Sequence, residues 1–142
     1  MATVEEKKAP FSLKKEFGTD NKLEEEGVWI ELDGHGARIK VARAGNRNFK
    51  KAFTALSPQV RRQLERGTLP ENQAAEITSR LMAEHILLDW EGLAENDEPL
   101  PYSKDAARRM LFTYPEFRSR VFEESQTTEY YRLREKEEDL KN

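Results

Sequence analysis

The 142-residue chain has the length of a single domain, and its 37% hydrophobic and 36% charged residues allow a modest core. It holds no cysteine, which excludes disulfides, thiolate metal sites and a cysteine nucleophile. It also lacks a long apolar run or a basic-flanked apolar leader, so neither a membrane span nor a secretory signal is predicted and a cytoplasmic protein is expected. The net charge of −3 hides an asymmetry: residues 38–66 carry nine basic groups and one acid, a balance of +8, which leaves −11 for the rest. Such crowding is met either by an oppositely charged partner or by neutralisation within the fold or an oligomer.

Residues 1–22 mix Lys, Glu, Pro10, Gly18 and Asp20 with only Phe11, Leu13 and Phe17 as large apolar side chains, and read as a flexible N-terminal arm. From Val28 the apolar period becomes two. Val28, Ile30 and Leu32, then Ala37, Ile39 and Val41, alternate with Trp29, Glu31, Arg38 and Lys40 on either side of Asp33-Gly34-His35-Gly36. This predicts a β-hairpin with one apolar face, and two strands alone are marginal in water, so that face must pack on helices or on another chain.

After Gly45 the spacing lengthens. Phe49, Phe53 and Leu56 share a helical line expected to be core, and Ser57-Pro58 reads as a helix N-cap followed by proline at the first position, with Val60 and Leu64 inside and Gly67 at the stop. Thr68 to Glu71 open a longer helix whose apolar line is Ala74, Ile77, Leu81, His85 and Leu88, flanked by Ala75, Met82 and Ile86. That pattern predicts a helix continuing to about Gly92. An acidic surface loop with Asn96, Asp97, Pro99 and Pro101 follows, and Ser103 caps a short helix carrying Ala107, Met110 and Leu111. Tyr114-Pro115 restarts the chain, and Phe117, Val121 and Phe122 predict a last helix reaching Tyr131 or Leu133. Residues 23–133 are thus read as one α+β domain, mostly α-helical, with an N-terminal β-hairpin packed on about four to five helices; residues 134–142 are a charged C-terminal tail.

Chemistry-bearing patterns are sparse. His35 falls in the turn and His85 on an apolar helix line, and there is no phosphate-binding glycine loop, nucleophile elbow or calcium-loop spacing. Asp89 and Glu91 flank Trp90, but adjacent helical residues do not face each other. The chain is therefore expected to be no enzyme and to need no cofactor or metal. Trp90, half core and half contact surface, suits a protein interface. The basic segment could follow a phosphate backbone, yet Phe49 and Phe53 are assigned to the core and unavailable for base stacking, so a protein contact is favoured over nucleic acid.

The string Asp89-Trp90-Glu91-Gly92-Leu93, followed by Pro101-Tyr102-Ser103 and a short helix with Ala106, Ala107, Met110 and Leu111, resembles the tail assembly chaperones of long-tailed bacteriophages. Glu26-Gly27-Val28-Trp29, Ile39-Lys40-Val41-Ala42-Arg43, Gly45-Asn46 and Phe49 resemble the same family, and the likeness extends over residues 23–121. Members often carry a glycine in the acidic loop, and Glu95-Asn96-Asp97-Glu98 has none. The resemblance implies a non-catalytic protein of the host cytoplasm that coats the long helical tape measure protein, keeps it soluble, and releases it as tail tube protein polymerises. Partner contacts are expected at Trp29, Trp90 and Tyr102 and at the basic Arg43, Arg47 and Lys50, and a homo-oligomer is compatible with the hairpin. The alternatives are a permanent virion component, such as a head-tail or tail-completion subunit, or a small nucleic-acid-binding protein.

Overall fold

A computed structural model describes residues 9–133. In chain order it contains α1 (Leu13–Phe17), α2 (Asn21–Glu26), β1 (Val28–Leu32), β2 (Ala37–Val41), α3 (Arg47–Thr54), α4 (Pro58–Arg66) and α5 (Glu71–His85). There follow β3 (Leu87–Glu91), β4 (Ala94–Glu95), β5 (Glu98–Pro99), α6 (Lys104–Thr113), α7 (Pro115–Ser125) and a 3-10 turn, Thr128–Tyr131. The fold is α+β and mostly helical, with the expected antiparallel hairpin of β1 and β2 pairing Val28 with Val41 and Ile30 with Ile39.

The largest departure from the sequence reading lies after α5. The helix expected to run to Gly92 ends at His85, and Leu87–Glu91 is a strand that adds to β2, giving a three-stranded sheet in the order β1-β2-β3. Its buried residues, Leu87 and Trp90, are three apart, a spacing that reads as helical. A bulge reconciles that spacing with a sheet. Val41 faces Leu87 while Lys40 faces Asp89, so Leu88 is an extra residue and both Leu87 and Trp90 turn inward. Gly92 does take positive φ, 76°, as expected, but at the end of a strand, where a Cβ would lie 3.1 Å from the Gly36 carbonyl oxygen.

The inner sheet face carries Ile30, Ile39, Val41, Leu87 and Trp90 and packs on Met82, Ala83 and Ile86 at the end of α5, on Ala106, Ala107, Met110 and Leu111 of α6, and on Val121 of α7. The helix ends follow the sequence closely. Ser57 caps Val60 at 3.2 Å, Gly67 closes α4 at φ 70°, and Ser103 caps Ala106 at 2.9 Å. Asn46 adds a cap that the reading missed: its carbonyl oxygen accepts from Phe49 N while its amide donates to the Arg43 and His85 carbonyls. Phe49 packs against the core, whereas Phe53 and Leu56 are only half-buried and α3 buries no residue fully.

The acidic loop forms the small hairpin β4-β5, with Glu95 paired to Glu98. Asn96 and Asp97 take φ of 52° and 66°, and their short polar side chains tolerate this left-handed turn without glycine. The N-terminal arm is also more structured than expected. Ser12 and Asp20 cap α1 and α2, Thr19 bridges Arg132, and Asp20 N donates to the Tyr131 carbonyl at 2.7 Å. The last helix stops at Ser125, and the chain then turns so that Tyr131 is fully buried and its hydroxyl donates to the Val41 carbonyl at 2.9 Å. The charged tail 134–142 lies outside the described residues.

Candidate partner-binding surface

The outer sheet face is built by the hairpin alternation. Cross-strand rows place Glu31, Arg38 and Glu91 side by side, and next to them Trp29, Lys40 and Asp89. The Arg38 guanidinium lies over the Trp29 ring at 4.1 Å, with Lys40 Nζ at 6.0 Å, so cations cover the half-buried indole. Arg38 Nε also donates to Glu91 at 2.7 Å. That hydrogen bond raises the Arg38 pKa and holds the Glu91 carboxyl below the ordinary carboxylate value. Trp29 thus stands on a polar face on which Arg38 and Glu91 neutralise each other.

The basic segment divides in two. Arg43 pairs with Glu24 at 2.8 Å and Arg47 with Glu25 at 3.0 Å, so the acidic run of α2 neutralises residues that sequence alone assigned to a partner. Lys50 and Lys51 stay exposed and line an open groove of about 640 Å³ together with Glu24, Gly45, Arg47, Thr54 and Ala55. Arg43, Arg47 and Lys50 are thereby brought to one region around α2 and α3, and Trp29 lies elsewhere, on the sheet.

Trp90 is buried and Tyr102 half-buried, and both bond to the backbone of the same chain. Trp90 is 4% exposed, its Nε1 donates to the Leu100 carbonyl at 2.7 Å, and Tyr102 meets it edge-on with ring centroids 5.0 Å apart. The Tyr102 hydroxyl donates to the Leu87 carbonyl at 2.8 Å, and burial, with Asp89 nearby, raises its pKa. An amphipathic side chain is satisfied equally by a partner or by its own backbone, and here the segment before α6 supplies the acceptor. The pair clamps β3 to the chain entering α6.

Exposed apolar surface lies at other places. Phe11 and Phe17 are 69% and 64% exposed, and their rings stand 5.9 Å apart beside exposed Leu13. Phe112 and Tyr114 at the end of α6 are also exposed, and sequence reasoning missed them although Met110, Leu111 and Phe112 in succession cannot all face one core. Phe112 borders a cleft of about 240 Å³ between α5 and α6, lined also by Glu76, Ser79, Arg108, Arg109 and Thr113. Ser79 is fully buried, and its hydroxyl has no hydrogen-bond partner among the described residues. Among those residues no group of three or more His, Asp or Glu is placed to hold a metal ion, and no helix is long and apolar enough to cross a membrane.

A family model described as YdaY prophage protein matches residues 44–142, which span everything from the entry to α3 onward. No curated protein and no solved structure matches the chain. The match covers well over half of the sequence, including the Trp90 string and both clamping aromatics; the chain belongs to the YdaY prophage protein family and is a phage-associated protein.

Proposed function

We propose that this protein is a tail assembly chaperone that binds the tape measure protein in the host cytoplasm, keeps it soluble during assembly, and acts without catalysis, cofactor or nucleotide. The observation that carries the reading is the exposed apolar surface of a prophage-family chain: adjacent Phe11 and Phe17 on one side, Phe112 and Tyr114 on another. Contiguous exposed apolar groups mark contact sites for other macromolecules. Two separate small patches suit reversible, many-point contact with a long apolar helix better than one deep pocket does. The resemblance of Asp89 to Leu93 and Pro101 to Ser103 to tail assembly chaperones names that partner.

Co-expression of the chain with the tape measure protein from the same prophage, followed by sedimentation and pull-down, tests the reading. A soluble complex is expected. A tape measure protein that aggregates to the same extent with and without the chain overturns it. Mass spectrometry of purified particles separates the rival: a permanent virion component is found there in stoichiometric amount, and a chaperone is absent.

A further inference from the structure

The two edges of the three-stranded sheet are finished differently. On the β3 edge the Trp90 backbone N–H is taken by the Asp89 carboxylate at 2.8 Å, the Leu87 carbonyl by the Tyr102 hydroxyl at 2.8 Å, and a bulge interrupts the strand. These are devices that close a sheet edge to further pairing. The β1 edge has none. Val28–Leu32 contains no proline, lysine or bulge, and apart from the ladder to β2 no hydrogen bond from another described segment reaches the backbone of Trp29, Ile30 or Glu31.

Which groups point outward follows from the ladder. A residue of an antiparallel strand turns its N–H and C=O to the same side, and neighbours along the strand alternate. Trp90 turns its N–H away from β2, so the opposite residue, Ile39, turns its own groups toward Ile30. Ile30 therefore bonds inward, and Trp29 and Glu31 present their N–H and C=O groups to the open side.

We infer that this edge is the contact for a second copy of the chain, with β1 pairing antiparallel to its symmetry mate about Ile30, so that each Trp29 meets the Glu31 of the second copy. The two sheets become one of six strands. What selects a second copy is the self-complementarity of the rows. Across the junction, Asp89, Lys40 and Trp29 continue into Glu31, Arg38 and Glu91 of the second copy, so no like charges stand directly opposite each other and only the two Glu31 residues are diagonal like charges. On the inner face Trp90, Ile39 and Ile30 continue into Ile30, Ile39 and Trp90 of the second copy, and Val28 meets Leu32. A register shifted by one residue would place charged side chains against this apolar row. The contact does not depend on which other protein the chain binds.

The test uses the full chain, whose lack of cysteine permits unambiguous cross-linking. Sedimentation velocity should give the mass of a dimer for the wild type. Glu31→Pro removes an outward N–H and leaves the β1-β2 ladder intact, so it should give a folded monomer with a melting temperature close to wild type. Mixed Trp29→Cys and Glu31→Cys chains should oxidise to the mixed disulfide in preference to either symmetric one. A wild type that is monomeric at every concentration, a mass above dimer, a dimeric Glu31→Pro, or no excess of the mixed disulfide would overturn the inference. Should Glu31→Pro fail to fold, wild-type mass and the mixed disulfide decide alone.

Discussion

Glu24 holds Arg43 twice: its carboxylate accepts from the guanidinium at 2.8 Å, and its backbone carbonyl accepts from the Arg43 N–H at 2.9 Å. Thr19 donates to the same carboxylate, so the N-terminal helices are tied to the exit of the hairpin. Both side chains of the pair are largely shielded, with 28% and 18% exposure, where a charge-assisted hydrogen bond keeps more of its strength than on an open surface. Arg43→Ala is expected to cost about 1–2 kcal/mol in urea unfolding. Arg47→Ala removes a pair whose arginine is mostly in water, and should cost less than about 1 kcal/mol. Equal costs for the two would show that the Glu24 tie is not special.

Trp90→Ala should cost about 3–5 kcal/mol, because it empties a packed site and orphans the Leu100 carbonyl. The Trp29→Phe variant retains only Trp90 as an indole, and its fluorescence should be blue-shifted and resist iodide quenching. A red, freely quenched emission would contradict the interior placement.

Ile39 has no exposed surface and sits in the middle strand between Ile30 and Trp90. A carboxylate there has no counter-charge on the inner face, so Ile39→Asp should destabilise by more than about 4 kcal/mol and abolish the native circular dichroism spectrum at room temperature. Lys40→Ala, one residue away on the solvated face, should change stability by less than about 1 kcal/mol. Native melting of Ile39→Asp would refute the sheet as the centre of the core.

Burial raises the Tyr131 phenol pKa above its ordinary value, and the neighbouring Arg43 only partly offsets this. A group whose folded pKa is raised contributes stability that is complete below its unfolded value, 10.0, and is lost as pH rises toward the folded one. Urea midpoints should therefore fall as pH passes 10. Tyr131→Phe should flatten that fall while costing about 1 kcal/mol at neutral pH through the lost bond to Val41. An identical alkaline slope in the two proteins would dismiss Tyr131 as its source.

Three members of the basic segment, Arg38, Arg43 and Arg47, are already paired with carboxylates of the same chain. Anisotropy with labelled single- and double-stranded DNA at physiological salt should accordingly show only non-specific binding, with Kd on the order of 10⁻⁴ to 10⁻⁶ M. Sub-micromolar binding lost on charge reversal at Arg43, Arg47 and Lys50 would favour the nucleic-acid reading.

Local features were legible in the residue pattern. Period-two alternation set both faces of β1 and β2, since side chains of a strand alternate by geometry, and Ser57, Pro58, Gly67, Ser103 and Pro115 marked helix ends because their backbone and side-chain preferences act within a few residues. Tertiary structure decided what depends on a distant partner. Leu87 to Glu91 has helical spacing and becomes a strand because β2 offers an open ladder and a bulge brings Leu87 and Trp90 to one face. Trp90 and Tyr102 find their hydrogen-bond acceptors in the Leu100 and Leu87 carbonyls, which only the fold brings against them. The acidic run of α2 answers the basic segment because the hairpin, itself legible in the alternation, returns the chain at Arg43, and because α2 is placed so that Glu24 meets it there; that second placement no local pattern encodes.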